Sequence, residues 1–303
     1  NVLAPSTKPN ETLRFLTFLF NVVKAVNYNA DLLRASFASA GNEHRLGANE
    51  APPAIMSVFL GETLTQALTD LETKSEVTVN KGDNVYYKLG INRIPSLMRD
   101  NTDRNRTSPF AFTGNKFEFR AVGSAANSAS TMTVLNTIVA DQLNKFKTDL
   151  DERLVKGEKK ELAIVDILKE YYANSKRILF EGNGYSDEWI EEAEQRGLSN
   201  IKSSPDALRV LVLPESLALF ERTGVMNHAE VESRYEIELE KYIKTVQIES
   251  RVMGDLAMNH VVSTALKYQN KLAETARNLV ELGMTAEAEP IKDILREIST
   301  RVM

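Results

Sequence analysis

The 303-residue chain contains no cysteine. Disulfides, thiolate zinc sites, iron–sulfur clusters and thiol nucleophiles are all excluded by that. Histidine is nearly as scarce: His44, His228 and His260 are the whole supply. A three-histidine metal site would have to gather every one of them from distant parts of the chain. No apolar run reaches the ~18–20 residues of a membrane span. The greasiest stretch, Leu13 to Val26, carries Arg14 and Lys24. No basic, apolar and cleavable leader pattern follows Asn1. Excess positive charge is missing as well, with 37 basic against 42 acidic residues and a net charge of -5. Such a chain is a poor nucleic-acid binder unless its cations are locally concentrated. The expectation is a soluble protein of a reducing, cytoplasmic compartment that touches neither nucleic acid nor membrane and is a piece of something longer.

What is there is an ordinary globular composition, 43% hydrophobic and 26% charged, which excludes disorder and collagen-like structure. A helix is expected from Glu11, with Leu13, Leu16, Phe20 and Val23 at helical spacing. A shorter one should run from Asp31 to Ala40 and end at Gly41. The polar, proline-closed stretch 41–53 reads as a loop. Ile55, Phe59, Leu64 and Leu68 then suggest a helix from about Ala54 to Leu71, and residues 73–92 look like a variable excursion. Phe117 to Val122 alternates like a strand, entered by a turn at Gly114-Asn115. After Ser124 everything reads as helix: 126–154, 159–180, 186–197, 205–222, 228–282 and 287–302. Helix breaks are expected at Gly157, Gly182/Gly184, Gly197, Gly224 and Gly283, the usual C-cap residue, and the long helix is expected to kink near Gly254. The fold class is therefore α+β, predominantly α. Residues 1–155 form a mixed part and 156–303 an all-helical part, a bundle or long hairpin.

The helical part offers little chemistry. His260 reads as a packed or capping residue, His228 as a helix-start residue and Trp189 as a core anchor. The Gly182-Asn183-Gly184 triplet lacks the remaining glycine and the lysine of a phosphate loop, and no strand precedes it. Two polar loops are richer. The first holds Asn42, Glu43, His44, Arg45, Asn49 and Glu50. The second holds Arg99, Asp100, Asp103, Arg104 and Arg106, and leads to Lys116, Glu118 and Arg120. Arginine dominates, and its planar fork suits carboxylate and phosphate. Glu118 and Arg120 share a strand face because side-chain direction repeats every two residues. A carboxylate beside a guanidinium can hold a divalent cation and its anionic substrate together, the logic of phosphoryl transfer.

Three motifs carry a resemblance. Glu43-His44-Arg45-Leu46-Gly47-Ala48-Asn49-Glu50-Ala51-Pro52-Pro53, then Arg104-Asn105-Arg106-Thr107-Ser108, then Lys116-Phe117-Glu118-Phe119-Arg120 occur in the order seen in the C-terminal half of a glutamine synthetase catalytic domain. Their wording, with the long helical region after them, is similar to the large type III bacterial class. The resemblance implies ATP-dependent ligation of ammonium to glutamate through a γ-glutamyl phosphate, with Mg²⁺ or Mn²⁺. It implies that Arg45 holds glutamate or the phosphorylated intermediate. Glu50 would close over that intermediate and help form the ammonium site. Arg106 would contact the ATP phosphates and Lys116 would lie near the nucleotide. Glu118 would be a metal ligand, and Arg120 would stabilise the transferred phosphate. A homo-oligomer, a dodecamer of two hexameric rings, is implied as well.

Two departures stand out. The Arg45-to-Glu50 spacing is one residue shorter than in the common bacterial class. A further arginine expected after Arg106 falls near Ala111 and Phe112. The family's other metal carboxylates, its metal histidine and its N-terminal domain would lie upstream. The competing reading is a non-catalytic helical assembly or scaffold module whose arginine-rich loops are merely solvated. It accounts for the helical part but not for three ordered motifs.

Overall fold

A computed structural model describes residues 1–4, 9–48, 50–61, 64–66, 68–69, 72, 108–121, 123 and 126–302. The excursion at 73–92 and the arginines and aspartates at 99–106, Arg106 included, lie outside the described residues. The architecture is the expected one, predominantly helical with a small sheet. The chain divides into two compact units, Asn1–Tyr242 and Ile243–Met303.

In the first unit, α1 (Pro9–Tyr28), α2 (Ala30–Ser36) and α3 (Ala40–Glu43) precede β1 (Val58–Phe59), β2 (Phe110–Phe112) and β3 (Phe117–Phe119). Then come α4 (Ala129–Val155), α5 (Lys160–Ser175), α6 (Asp187–Gln195), α7 (Ser204–Arg209), α8 (Pro214–Thr223) and α9 (His228–Asp255), the last of which runs on into the second unit. Helix α1 forms where leucine, phenylalanine and valine recur at helical spacing. Its Phe15, Leu16, Leu19, Phe20, Val23 and Val26 are buried against α4 and α5. Fully burying such a side chain is worth about 1.5–3 kcal/mol, so this apolar interface outweighs any surface charge pair in holding the unit together.

The sheet has the order β1-β2-β3, with β1 parallel to β2 and β2 antiparallel to β3. On its far side Val58 also bridges Leu179, and the Phe180 N–H donates to the Val58 carbonyl at 3.0 Å. Residues 54–60 are thus extended where apolar spacing suggests helix. Met56, Ser57, Val58 and Leu60 are all buried, and a strand covered on both faces shows a continuous apolar run instead of alternation. Leu64 to Gln66 are helical. Two buried hydroxyls seal this part of the sheet. Ser57 Oγ donates to Ser108 Oγ at 3.0 Å, and Ser108 Oγ donates to the Phe180 carbonyl at 3.2 Å.

Elsewhere helices stand near the expected positions, with two differences. The one expected over Asp31–Ala40 ends at Ser36, and α3 runs into the stretch read as a loop. The one expected over 159–180 ends at Ser175 in a 3₁₀ turn at Lys176–Ile178, and neither Gly182 nor Gly184 is left-handed. Gly157, Gly197, Gly224 and Gly283 sit at helix ends with φ between 67° and 87°, a conformation that L side chains rarely adopt. Trp189 is 3% exposed and stacks on Phe180 with ring centroids 3.6 Å apart. In the second unit, a π-helical turn over Leu256–Val262 is succeeded by α10 (Ser263–Glu281) and α11 (Thr285–Val302), which pack on each other. Gly254 itself lies within α9, and the π turn begins two residues after it. His260 sits in that turn and is exposed, not packed. Among the described residues no helix is long and apolar enough to cross a membrane.

Candidate active site

The hairpin β2–β3 sets the site. Phe112 opposes Phe117, and the Thr113 N–H donates to the Lys116 carbonyl at 2.9 Å across a turn that holds Gly114 at φ 93°. One face is aromatic. Phe110 stacks on Phe117 at 4.6 Å, and Phe119 meets Phe37 edge-on at 5.6 Å. The alternate positions Lys116, Glu118 and Arg120 therefore fall together on the other face, as strand periodicity requires. Lys116 Nζ lies 3.1 Å from Glu118 Oε1, and Arg120 Nη2 lies 2.9 Å from Glu118 Oε2. Thr113 Oγ1 also donates to Glu118 Oε1, at 3.3 Å.

The Arg120 hydrogen bond, then that from Lys116, holds the Glu118 carboxyl below its usual range. Its side chain is 35% exposed, and ion pairs at such sites contribute about 1 kcal/mol or less. The aromatic face, not the charged one, holds the hairpin. Among the described residues two cations, Lys116 and Arg120, flank this one carboxylate, and cations so placed can receive an anionic reactant.

The loop after α3 closes on itself. Gly47, at φ 75°, donates its N–H to the carbonyls of Ala51 and Pro52 at 3.2 and 3.1 Å. Arg45 Nη1 lies 3.5 Å from Glu50 Oε1 across the neck of this loop. Loop residues Leu46, Ala51 and Pro53 line one narrow crevice together with Arg120. The structure thus joins Arg45 to Glu50, joins Lys116, Glu118 and Arg120 to one another, and sets Arg120 beside the loop.

Glu118 is the lone carboxylate of its triad. Among the described residues no group of three or more histidine, aspartate or glutamate side chains could hold a metal ion. A divalent ion needs several such oxygens, so the described residues do not fit a metal site on their own.

Sequence reading overlooked the supports of this site. Arg34 is 1% exposed. Its Nε donates to the Ile201 carbonyl at 3.0 Å and its Nη2 to that of Lys202 at 3.3 Å. Burial pulls its pKa down to about 10. Its guanidinium lies 5.0 Å from the Phe37 ring, which in turn touches Phe119. Arg34 sits in an apolar helix with no distinguishing motif, so only its type, an arginine amid leucine and alanine, hints at a role.

Residues 163–280 match the family model of the glutamine synthetase C-terminal domain. The chain is also similar to full-length glutamine synthetases. It is 50% identical over 309 residues to one from Bacteroides fragilis, covering 100% of this chain and 42% of that protein. It is 41% identical over 280 residues to a type-3 glutamine synthetase of Dictyostelium discoideum, covering 92% of this chain and 38% of that one. A glutamine synthetase of Butyrivibrio fibrisolvens is 40% identical over 284 residues, covering 90% of this chain and 38% of its own length. The chain belongs to the glutamine synthetase family, and its relatives include the type-3 form. It spans well under half the length of these curated relatives.

Proposed function

We propose that this chain is the part of a glutamate–ammonia ligase that carries its substrate and phosphate arginines. The observation that carries this reading is the identity to glutamine synthetases along the whole chain, from the Arg45 loop through the Arg120 strand into the helices. The reaction proceeds in two displacements. The γ-carboxylate of glutamate attacks the terminal phosphorus of ATP and ADP leaves. Ammonia then attacks the resulting acyl phosphate, phosphate leaves, and the displaced ammonium proton passes to a base.

In this reading Arg120 faces the phosphoryl group in flight and Lys116 adds charge on the nucleotide side. Arg45 holds glutamate or its acyl phosphate. Glu50, on the closing loop, favours ammonium by its charge and accepts a proton from it. Arg106 contacts the ATP phosphates. Binding of the anions would draw Arg45 away from Glu50 and Arg120 away from Glu118, so the ion pairs keep the site poised while empty. Mg²⁺ or Mn²⁺ would offset phosphate charge when bound. Glu118 is proposed as one ligand only, with the other oxygens coming from outside the described residues.

Residues 1–155 are proposed as the end of the catalytic domain and 156–303 as the helical region that succeeds it. A homo-oligomer, a dodecamer of two hexameric rings in the cytoplasm, belongs to the same reading. In the second unit Ile248, Met253, Met258 and Val261 are all more than 60% exposed. Large apolar side chains exposed in this number support an assembly role for that region.

The test is glutamate- and ammonium-dependent ADP release by the full-length protein carrying Arg120→Gln. A loss of about 10²–10³-fold is expected for one preorganised charge stabiliser. Unchanged turnover would overturn the assignment of this strand face to the phosphoryl group.

A further inference from the structure

On the first unit, separated from the hairpin by Phe37, α2 and the segment after it face the start of α4 and the helices α7 to α9 across a cleft of about 770 Å³. Ligand sites for small molecules fall at about 300–1,000 Å³. The floor is apolar: Val134, Leu208, Phe220 and Val231 are each at most 3% exposed. The mouth is polar, with Asn127, Ser130 and Thr133 on one side and Arg234, Glu238 and Lys241 on the other.

The charges at the mouth do not cancel. Glu238 holds Lys241 at 2.7 Å, so that pair contributes little net field. Arg234 has no ion-pair partner among the described residues. The first turn of α4 adds its own partial positive charge at the same mouth. The Ala129 N–H there is already taken by Asn127 Oδ1 at 2.8 Å, so this helix end contributes field instead of a free donor. An apolar floor beneath a surplus cation has one complementary shape of ligand. Its body is hydrophobic, and a carboxylate at one end reaches the planar fork of Arg234.

We propose that this cleft is a binding site for a small amphiphilic carboxylate, distinct from the ligase site. The occupant would lie against the apolar floor and pair with Arg234. It would also touch Ser36 to Ser39, the segment that leads through α3 to Glu43 and the Arg45–Glu50 loop.

The test uses the full chain with decanoate, its alcohol decanol, and the fluorescent naphthalene sulfonate ANS as competitor. ANS should bind saturably, and decanoate should displace it at least about tenfold more effectively than decanol, because a charge-assisted contact is added. Arg234→Gln, at an exposed position, should remove that preference for decanoate while leaving decanol unchanged. Thr133→Trp should fill the mouth and weaken both ligands at an unchanged melting temperature. If decanoate fails to displace ANS, if Arg234→Gln leaves the decanoate-to-decanol ratio intact, or if Thr133→Trp leaves binding unaltered, the proposal is overturned.

Discussion

Glu43 and Ser204 stand 161 residues apart in sequence, yet Glu43 Oε2 accepts the Ser204 backbone N–H at 2.9 Å. The other oxygen, Oε1, takes the Tyr242 hydroxyl at 3.4 Å, and Ser204 Oγ donates to the Ser39 carbonyl at 3.1 Å. The root of the Arg45–Glu50 loop is thereby fastened to α7 and α9. Replacing Glu43 by alanine should cost about 1–2 kcal/mol, since it strands an N–H at the start of α7 and removes a charge-assisted bond. Urea unfolding should show a lower midpoint with an unchanged slope. Tyr242→Phe should cost less than half as much. An unaltered midpoint for Glu43→Ala would mean that the fastening contributes nothing.

Asp141 ties α4 to α8. Arg222 donates to it through both Nε and Nη2, at 2.6 and 2.8 Å, and Lys145 lies 2.8 Å away. The Asp141 side chain is 8% exposed, and these bonds, that from Arg222 first, hold its carboxyl below the usual aspartate range. The unfolded chain titrates near ~3.9. Stability from this group is therefore present above about pH 4 and fades as pH falls through the lower folded value. Asp141→Asn should lose about 1–3 kcal/mol at neutral pH. The gap between wild type and variant should narrow between about pH 5 and pH 3. A gap that stays constant on acidification would count against the pair.

Trp189 is the chain's one tryptophan. Buried on Phe180, with the Arg196 guanidinium 5.6 Å from its ring, it should emit at short wavelength and shift red on unfolding. Phe180→Leu should cost about 1–3 kcal/mol through lost packing and stacking. It should also move the native emission toward that of exposed indole. Native emission at the same wavelength would show that the stack does not set the indole environment.

Glu118→Gln separates structure from chemistry. Its ion pairs are part-exposed, so the variant should melt within about 0.5 kcal/mol of wild type. Turnover of the full-length protein should still fall by about 10²–10³, because Glu118 is proposed to hold the metal that offsets phosphate charge. Equal losses of stability and activity would reduce Glu118 to a hairpin residue.

The parts of this protein that were legible in its sequence are those set by local geometry. Alternation placed Glu118 and Arg120 on one face, and glycines marked the ends of α4, α6 and α8 because their left-handed φ admits little else. Strand β1 was not legible. Ile55, Phe59, Leu64 and Leu68 fit a helical stripe equally well, and the partners of Val58, Phe110 and Leu179, lie far along the chain. The supports of the site were hidden for the same reason. Glu43 reads as one more solvated carboxylate and Arg34 as one more helical arginine until α7 and the segment before it are folded against them.

The π turn at Leu256–Val262 has a consequence for how this region can change over generations. A π turn carries more residues than an α turn of the same length. Removing one residue inside it can therefore restore ordinary winding without rotating the helix beyond it. The same deletion within α10 would swing every later side chain by about 100° around the axis. Within the helical span 243–281, 256–262 is where the lineage can shed a codon most cheaply, and natural length variation inside this helix should gather there.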